Sequence, residues 1–521
     1  MKNLITLFFG SFLSLSMAPI NFWPILFISL SYIYINITKS KTPFDASLSG
    51  FIFSLGYFGF SLAWVGNALL IEDNPYYWAW PFAVSGLPIV LSLFTAIGCY
   101  AYKRLYKDIN NVASYIGFVT CLFISEYARG HLLTGFPWNL YGYSWIDILP
   151  IAQTASISSI YLLTLITIFW ACSPGFLIIS QHKKNHKLIF SAIISVSIIS
   201  AYMYGVYRIN ANPIKYHDNY NIVVIQPNIK QSEKWKPENR AKNFKKQLNL
   251  SYYRASKADN LNADSSKPSI HYIIWPETAM SQDVIDTPWA RNNIKHMLSS
   301  YDGEAYLITG ALRYNGEQEE YYNSIIVFND NAEIINTYDK HHLVPFGEYM
   351  PFDDILNISP IVGFSGFKEG SNHHAFKTPE GLNFLPFICY EVIFPIISNI
   401  KTTPDVLLNV TNDGWYGKSS GPYQHLVQAK FRAIESSTPL IRSANTGISA
   451  IITPLGYSIL PEVLLDERVY LHKLPRRISS DSIQKNIEMT IIWFLITFCT
   501  IFLLYINIIK NSVLHRKLTE K

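Results

Sequence analysis

The chain has 521 residues, of which 49% are hydrophobic and 15% aromatic, and its formal net charge is +5 at pH 7. This length is enough for roughly three domains, and the apolar composition indicates membrane segments first. The polar part, residues 208–485, is nearly balanced at 28 basic and 29 acidic side chains. No basic stripe marks it for nucleic acid, so composition favours an integral membrane protein without a nucleic-acid partner.

Eight apolar runs with few charges predict membrane-spanning helices. They lie at Asn3–Pro19, Asn21–Thr38, Ala46–Ile71, Pro81–Tyr102, Val112–Ser125, Ala152–Ser180, Leu188–Tyr207 and Met489–Ile509. The fifth run is the weakest, because it is shorter than the ~20 residues that a span needs. The first run also fits a cleaved signal peptide, since Lys2 precedes it, but the spans that follow favour a retained helix.

Basic residues near the span ends predict the orientation, because Lys and Arg are kept on the cytoplasmic side. Every second connection carries them, at Lys39, Lys41, Lys103, Arg104, Lys107, Lys183, Lys184 and Lys187, whereas the opposite connections hold only Arg129. We therefore expect both termini in the cytoplasm. The predicted domains are residues 1–207 with seven spans, 208–485 as an exported domain, and 486–521 with the eighth span and a cytoplasmic tail.

One connection, Tyr127–Pro150, is long and mixes aromatic with polar side chains. Two interpretations remain open for it, an aromatic belt at the membrane interface and a lipid head-group site. At its start, Glu126 and Arg129 are spaced to pair with each other.

Residues 208–485 alternate strand-like and helix-like pieces, which is typical of an α/β domain. The strand-like pieces are Asn221–Gln226, His271–Trp275, Ala305–Tyr314, Tyr321–Asn329, Ala332–Tyr338, Asp405–Asn409, Pro439–Ala444 and Gly447–Thr453. Helix-like pieces are Pro237–Tyr253, Pro288–Leu298 and Pro422–Ser436. Parallel strands crossed by helices, together with antiparallel hairpins, predict a layered sandwich.

A lone cysteine ends one apolar run. Residues Phe384–Ile388 predict a buried strand and Val392–Ile400 fits a helix, so Cys389 falls at the turn between them. Backbone N–H groups at a helix start stabilise a thiolate and an adjacent oxyanion. The other cysteines lie in apolar spans, which leaves Cys389 without a disulfide partner in its domain. A buried structural cysteine is the alternative.

Two charged residues also follow predicted strands. Glu277 comes after Pro276, which stops ladder pairing, and active sites of α/β sheets collect at the carboxyl ends of strands. Lys340 follows another strand, and a Pro-Phe-Gly turn then leads to Glu348. Each of these charges, taken alone, also fits a solvated surface.

The neighbouring His341 and His342 suggest a metal site. Side chains one residue apart on a strand point to opposite faces, so these two cannot share a metal ion. We expect no metal and no cofactor.

The order of Glu277, Lys340 and Cys389, each at the end of a strand, resembles the catalytic set of the nitrilase superfamily. Members of that superfamily break or form carbon–nitrogen bonds through a cysteine acyl-enzyme. The resemblance extends to the flanking segments Gln226–Ile229 with Trp235, Asn409–Gly417 and Arg442–Gly447. With eight spans around one exported domain, essentially the whole chain resembles the apolipoprotein N-acyltransferases, a membrane-embedded family of the superfamily.

This resemblance implies a nitrilase-like αββα sandwich with Glu277 as general base, Lys340 as oxyanion stabiliser and Cys389 as nucleophile. Supporting positions implied in the same way are Trp235, Glu348, Tyr390, Glu391 and Trp415. Gly414 and Tyr416 stand where the family often has alanine and phenylalanine, and we expect neither to alter the chemistry.

The implied reaction takes place at the bacterial inner membrane, with the catalytic domain in the periplasm. An acyl chain passes from a phospholipid to Cys389 and then to the α-amine of a diacylglyceryl-cysteine at the amino terminus of an apolipoprotein. A membrane-anchored amidase or nitrilase that uses water as acceptor is the alternative, and a transporter or scaffold with an inert external domain is a third.

Proton transfer from a free cysteine to a free glutamate is unfavourable, because the pKa of the thiol is near ~8.5 and that of the carboxyl group near ~4.3. We expect Lys340 to lower the pKa of the Cys389 thiol and burial to raise the pKa of Glu277.

The segment Pro351–Gly370 follows Glu348 and is rich in Pro, Gly and apolar residues. We expect a lid that rests on the bilayer, with Phe364 and Phe367 meeting acyl chains. A packed satellite cluster is the alternative.

Overall fold

The computed structural model describes residues 1–72, 74–106, 111–258, 268–351, 366–395 and 403–478. The eighth predicted span, Met489–Ile509, and most of the predicted lid lie outside the described residues. The described chain contains an amino-terminal helical region followed by a region of two stacked β-sheets.

Helices make up nearly all of the amino-terminal region. They are α1 (Lys2–Leu13), α2 (Pro24–Thr38), α3 (Pro43–Ser61), α4 (Trp80–Leu105), α5 (Val112–His131), α6 (Leu149–Ala152), α7 (Ile160–Ile179) and α8 (Lys184–Ala211). Short 3-10 helices connect them at Ser14–Ser16, Ala63–Leu70, Tyr77–Ala79, Tyr141–Trp145 and Gln153–Ile157.

Among the described residues, 3 helices are long and apolar enough to cross a membrane, namely Tyr77–Leu105, α7 and α8. A fourth is added if α3 and Ala63–Leu70, bent by 46°, form one span. The prediction of apolar helices in this region is confirmed, and the number of eight spans is not.

Two helices differ from the predicted runs for local reasons. The first run is helical only in part, because α1 ends at Leu13 and a 3-10 helix follows at Ser14–Ser16. Helix α5 instead continues to His131, beyond the predicted end of the fifth run. Its added turn carries the predicted ion pair, in which Arg129 Nη2 lies 2.6 Å from Glu126 Oε2 with both side chains buried.

The first sheet has the strand order β11-β1-β2-β3-β4-β5. These strands are β1 (Tyr216–Gln226), β2 (Ile270–Ser281), β3 (Glu304–Asn315), β4 (Glu320–Phe328), β5 (Ile334–Asp339) and β11 (Arg468–Pro475). Strands β1, β2 and β3 are parallel, and the remaining pairs are antiparallel. The sequence predicted all of them except the edge strand β11.

The second sheet has the order β10-β9-β8-β7-β6. Its strands are β6 (Phe376–Lys377), β7 (Asn383–Ile388), β8 (Val406–Thr411), β9 (Leu440–Ala444) and β10 (Ala450–Ile452). The central strands β7, β8 and β9 are parallel. Residues on both faces of these strands are buried, and β7 is accordingly a continuous apolar run after Asn383, whereas β8 and β9 also carry buried polar side chains such as Asn409 and Arg442.

Helices cover the outer face of each sheet. The helices of this region are α9 (Gln231–Lys234), α10 (Pro237–Ala258), α11 (Gln282–Ile285), α12 (Pro288–Leu298) and α13 (Gly421–Ser436). The inner faces share one core, in which Val224 and Ile274 of the first sheet cluster with Ile388 and Val410 of the second. Helices α10 and α12 pack on the first sheet and α13 on the second, so the αββα sandwich is confirmed.

Helix α13 also contacts the helical region through one buried carboxamide. The Oε1 atom of Gln424 accepts hydrogen bonds from the indoles of Trp64 at 3.0 Å and Trp138 at 2.9 Å. Its Nε2 donates to the carbonyl oxygens of Ala18 at 3.3 Å and Ser61 at 3.1 Å. A single side chain of the sandwich thus satisfies polar groups from several parts of the helical region.

The aromatic residues of the Tyr127–Pro150 connection lie inside the protein. Trp138, Tyr141, Tyr143 and Trp145 are each at most 3% exposed. The interpretation of these four residues as an interfacial belt is therefore wrong, since such a belt must face the lipid.

We predict that Gln424→Leu lowers the free energy of unfolding by roughly 2–6 kcal/mol, because two buried indole N–H groups lose their acceptor at about 1–3 kcal/mol each. Thermal unfolding in detergent measures this. Gln428→Leu is the matched control, since Gln428 is buried one turn later on the same helix and its amide atoms have no partner among the described residues. Equal destabilisation by both variants would contradict the prediction.

Candidate active site

Cys389 lies at the strand-to-turn junction that the sequence predicted. Strand β7 ends at Ile388, and a 3-10 helix occupies Cys389–Ile393. The φ of Cys389 is +48°, a left-handed conformation that costs a non-glycine residue about 1–2 kcal/mol. The helix predicted at Val392–Ile400 does not continue from this turn, because Phe394 is extended, and residues 396–400 lie outside the described residues.

Glu277 lies in an irregular part of β2. The pairing between β2 and β3 shifts between Trp275 and Met280, where Pro276 interrupts the ladder as predicted. Gly310 of β3 lies directly beneath, and a Cβ there would be 2.4 Å from the carbonyl oxygen of Pro276. Only glycine lets the two strands approach this closely, and the approach directs Glu277 into a buried position.

A lysine that the sequence analysis did not single out stabilises this irregular part of β2, which forms a bulge. The ammonium of Lys234, at the end of α9, donates to the carbonyl oxygen of Glu277 at 2.9 Å and to Thr278 Oγ1 at 2.6 Å. Thr278 needs this support because its φ is +47°. Burial lowers the pKa of Lys234 to about 8, with Glu277 and Cys389 opposing the shift.

Lys340 follows β5 and pairs with Glu348, its Nζ lying 2.8 Å from both carboxylate oxygens. Asn323 of β4 joins the two carboxylates of the site, because its Nδ2 donates to Glu277 Oε1 at 2.8 Å and to Glu348 Oε1 at 3.0 Å. The second oxygen of Glu277, Oε2, is buried and has no hydrogen-bond partner among the described residues. This oxygen is therefore available to accept a proton.

Glu391 connects the loop after Lys340 to the turn of Cys389. Its Oε1 accepts hydrogen bonds from the Tyr338 hydroxyl at 2.7 Å and from the N–H groups of His341 at 2.8 Å and His342 at 3.1 Å. Its Oε2 accepts from the N–H of Ile388 at 2.7 Å. The carboxylate thus holds two chain segments in register.

The electrostatics differ in part from expectation. Burial raises the pKa of the Cys389 thiol to about 12, with Glu277 adding to the rise and Lys340 opposing it. Burial also raises the pKa of Glu277, as predicted, while Lys340 opposes that shift. For Lys340 itself, burial opposes the charge, but Glu348 and Glu277 raise its pKa above the usual value. At rest the site therefore holds a protonated thiol beside a charged lysine.

The remaining predicted residues are spread around this centre. Trp235 is half-buried, with the Lys234 ammonium 5.7 Å from its ring. The Tyr390 hydroxyl donates to the carbonyl oxygen of Gly135 in the helical region at 3.1 Å. Trp415 is half-buried in the turn Asp413–Tyr416.

The predicted lid is described only at its end. Phe364 lies outside the described residues, whereas Phe367 is buried and its N–H donates to the carbonyl oxygen of Glu348. The lid hypothesis stays a prediction.

Several residues near the site were not among the site residues predicted from the sequence. Tyr416 places its hydroxyl 4.0 Å from Cys389 Sγ, and Asn323, Lys234 and His425 reach the site from separate elements. Asn323 alone had a usable signal, as a polar residue on the inward face of a buried strand. Among the described residues, no group of three or more His, Cys, Asp or Glu side chains is arranged to hold a metal ion.

The fold is that of the carbon-nitrogen hydrolase class of proteins. A family model described as carbon-nitrogen hydrolase matches residues 222–463, which include Cys389 and most of the sandwich. A second, described as the apolipoprotein N-acyltransferase N-terminal domain, matches residues 9–173.

Two curated relatives show the family. An apolipoprotein N-acyltransferase of Rhodopseudomonas palustris is 36% identical over 470 residues, covering 87% of this chain and 86% of the relative. One of Rickettsia bellii is 35% identical over 503 residues, covering 94% of this chain and 95% of the relative. The chain belongs to the apolipoprotein N-acyltransferase family.

Among solved structures, a CN-hydrolase superfamily protein of Xanthomonas campestris is 18% identical with a TM-score of 0.35. The match covers 49% of this chain and 89% of that protein.

We predict that alkylation of Cys389 by iodoacetamide accelerates about tenfold per pH unit from pH 7 to 10, because the thiolate fraction rises in this way below a pKa of about 12. Lys340→Met should be slower at each pH, since Lys340 lowers the thiol's pKa. Mass spectrometry of the labelled protein measures both rates, with glutathione as reference. A plateau near pH 8 would show a low-pKa thiolate and contradict the prediction.

The same pKa shift affects stability. The folded protein binds the thiol proton of Cys389 more tightly than the unfolded chain does. The contribution of this proton to the free energy of unfolding is therefore complete below pH 9.0 and declines as the pH rises towards 12.

Proposed function

We propose that this chain transfers an acyl chain from a membrane phospholipid to the α-amino group of an S-diacylglyceryl-cysteine at the amino terminus of an apolipoprotein. The observation that carries the proposal is the position of the nucleophile turn against the apolar helical region. Tyr390 and Ile393 belong to the same hydrophobic core as α2, α5 and α7. A thiol at such a junction is suited to an acyl donor that lies in the bilayer.

In the first half-reaction, the free Oε2 of Glu277 accepts the thiol proton of Cys389. The sulfur attacks the ester carbonyl of the phospholipid, and the resulting oxyanion is stabilised by Lys340 and the N–H of Tyr390, each worth ~3 to 4 kcal/mol. The ester bond then breaks, and the lysophospholipid alkoxide leaves with the proton that Glu277 holds. The product is a thioester on Cys389.

In the second half-reaction, the lipoprotein α-amine attacks the thioester carbonyl and gives its proton to Glu277. The same donors stabilise the oxyanion, the carbon–sulfur bond breaks, and the Cys389 thiolate recovers a proton from Glu277. Lys234 and Asn323 support this scheme by fixing the glutamate in the bulge of β2.

We further propose the membrane arrangement that the charges of the connections predict. The chain crosses the bacterial inner membrane eight times, residues 208–485 face the periplasm, and both termini are cytoplasmic. The alternation of basic residues supports this topology. The proposed domains are 1–207, 208–485 and 486–521.

We expect Cys389→Ala to abolish both half-reactions, whereas Glu277→Gln and Lys340→Met give folded proteins that form no thioester. Each variant removes one role, the nucleophile, the base or the oxyanion donor. Intact-mass analysis after incubation with phospholipid measures the added acyl chain. Lys246→Met, which removes a half-exposed ion pair with Glu467 away from the site, is the matched control and should acylate normally. Normal lipopeptide acylation by Cys389→Ala would falsify the proposed mechanism.

The same assay separates the transferase from the amidase alternative. A transferase passes its acyl chain to a diacylglyceryl-cysteine peptide faster than to water. Loss of the thioester at one rate with and without the peptide would favour the hydrolase.

The topology is tested by reporter fusion. An export-dependent phosphatase should be active when it is fused after residue 260 and inactive when it is fused after residue 184. The reverse pattern would overturn the proposed orientation, and expression of both fusions is checked by immunoblot.

A further inference from the structure

A fully buried histidine of α13 contacts the backbone of the nucleophile. Nε2 of His425 lies 3.1 Å from the carbonyl oxygen of Cys389, and Nδ1 lies 2.9 Å from Asp413 Oδ1 and 3.1 Å from Arg442 Nη2. A carbonyl oxygen can only accept a hydrogen bond. Nε2 therefore carries a proton whichever neighbour Nδ1 engages, and it donates to Cys389.

The imidazole is fixed from its other sides. Asp413 Oδ2 accepts from Arg442 Nη2 at 2.7 Å, and Oδ1 accepts from the Thr411 hydroxyl at 3.0 Å. The Trp138 ring stacks on the imidazole with a centroid separation of 5.4 Å. Burial opposes the charge of Asp413, but Arg442 and His425 lower its pKa to about 2, so it remains a carboxylate.

The helix that carries the histidine is itself anchored. Gln424, the preceding residue, forms the hydrogen bonds to Trp64 and Trp138 described above. His425 therefore cannot move away from Cys389 without breaking buried contacts to the helical region.

The hydrogen bond to Cys389 sets the direction of a second group. The carbonyl of Cys389 and the N–H of Tyr390 belong to one planar trans peptide, so they point in opposite directions. Fixing the oxygen also fixes the N–H. The φ of +48° at Cys389 is an unfavourable conformation that persists only where the surroundings hold it.

We propose that His425 is a positioning residue for acyl transfer. Its Nε2–H holds the carbonyl of Cys389 so that the N–H of Tyr390 stays directed at the oxyanion. This inference rests on the proposed function, in which that N–H is an oxyanion donor. It adds a residue that acts through the peptide of the nucleophile and touches neither substrate.

The experiment compares two rates in the full-length protein in detergent. One is single-turnover thioester formation from phosphatidylethanolamine, followed by intact mass. The other is alkylation of Cys389 by iodoacetamide, which needs the thiol and no oxyanion donor. We expect His425→Phe, which keeps a stacking ring and loses the donor, to slow thioester formation about tenfold or more. Alkylation should stay within about twofold, because the sulfur is unchanged.

Two further variants make the result specific. His425→Gln keeps an N–H donor and should retain thioester formation within about fivefold of the unmodified protein. The matched control is His271→Phe, because His271 is equally buried and its Nε2 lies 3.0 Å from the carbonyl oxygen of Asp302, at the other end of β2 from Glu277. It should form thioester at the normal rate. If His425→Phe does not fold, His425→Leu replaces it as the variant without a donor.

The inference is overturned if the donor-free variant forms thioester normally, or if both rates fall together. It is also overturned if His271→Phe loses thioester formation to the same extent. A failure of the proposed function looks different, because the unmodified protein would then form no thioester although Cys389 is alkylated.

Discussion

The carboxylate of Glu391 is the contact on which the arrangement of the site depends. It accepts hydrogen bonds from the loop after β5, which belongs to the first sheet, and from the end of β7, which belongs to the second. Lys340 and Cys389 are on opposite sheets, so sheet packing alone does not fix their separation. A buried carboxylate with four donors does, because any displacement leaves a charge without partners.

The strained cysteine follows from the same arrangement. The proposed nucleophile lies at the end of a strand and must leave the ladder so that its sulfur faces the space between the sheets, and the left-handed φ of Cys389 achieves this in one residue. Hydrogen bonds at Ile388 and at the carbonyl of Cys389 hold that conformation from both sides. The cost in backbone strain is thus offset by contacts that also set the geometry of the site.

Each of the three central residues follows an apolar strand, a local feature that needs no knowledge of packing, but their proposed roles come from the family resemblance. Patterns could not find His425 or Lys234. His425 lies 36 positions after Cys389, and Lys234 lies 43 positions before Glu277, so only the packing of helices on the sheets brings them there.

The errors in the predicted secondary structure also have physical causes. Strand β11 escaped prediction because Arg468, His472 and Lys473 interrupt its apolar residues, so that no regular alternation marks it. Hydropathy also extended the first predicted span through residues that form a 3-10 turn, and it ended the fifth before a buried ion pair that continues its helix.

The helical region and the sandwich are joined by buried hydrogen bonds and share a hydrophobic core. Gln424 satisfies indole and backbone groups of the helical region, and the side chain of Tyr390 enters that region's core beside the nucleophile. A polar bond inside an apolar interface is directional, whereas apolar packing tolerates sliding. The Gln424 bonds therefore fix how the sandwich is seated, and the apolar contacts supply most of the burial.

Because the sandwich packs closely against the helical region, burial is the largest influence on the pKa values of Cys389 and Glu277. An exposed thiol with Lys340 nearby would have a lowered pKa and would react with water-borne electrophiles. Here the apolar surroundings outweigh the lysine, and the thiol stays protonated at rest. Glu277 is shifted in the same direction by the same burial, so proton transfer between the two exchanges one buried charge for another. Burial therefore keeps the thiol protonated until a substrate enters, and the thiolate forms only within the pair of Cys389 and Glu277.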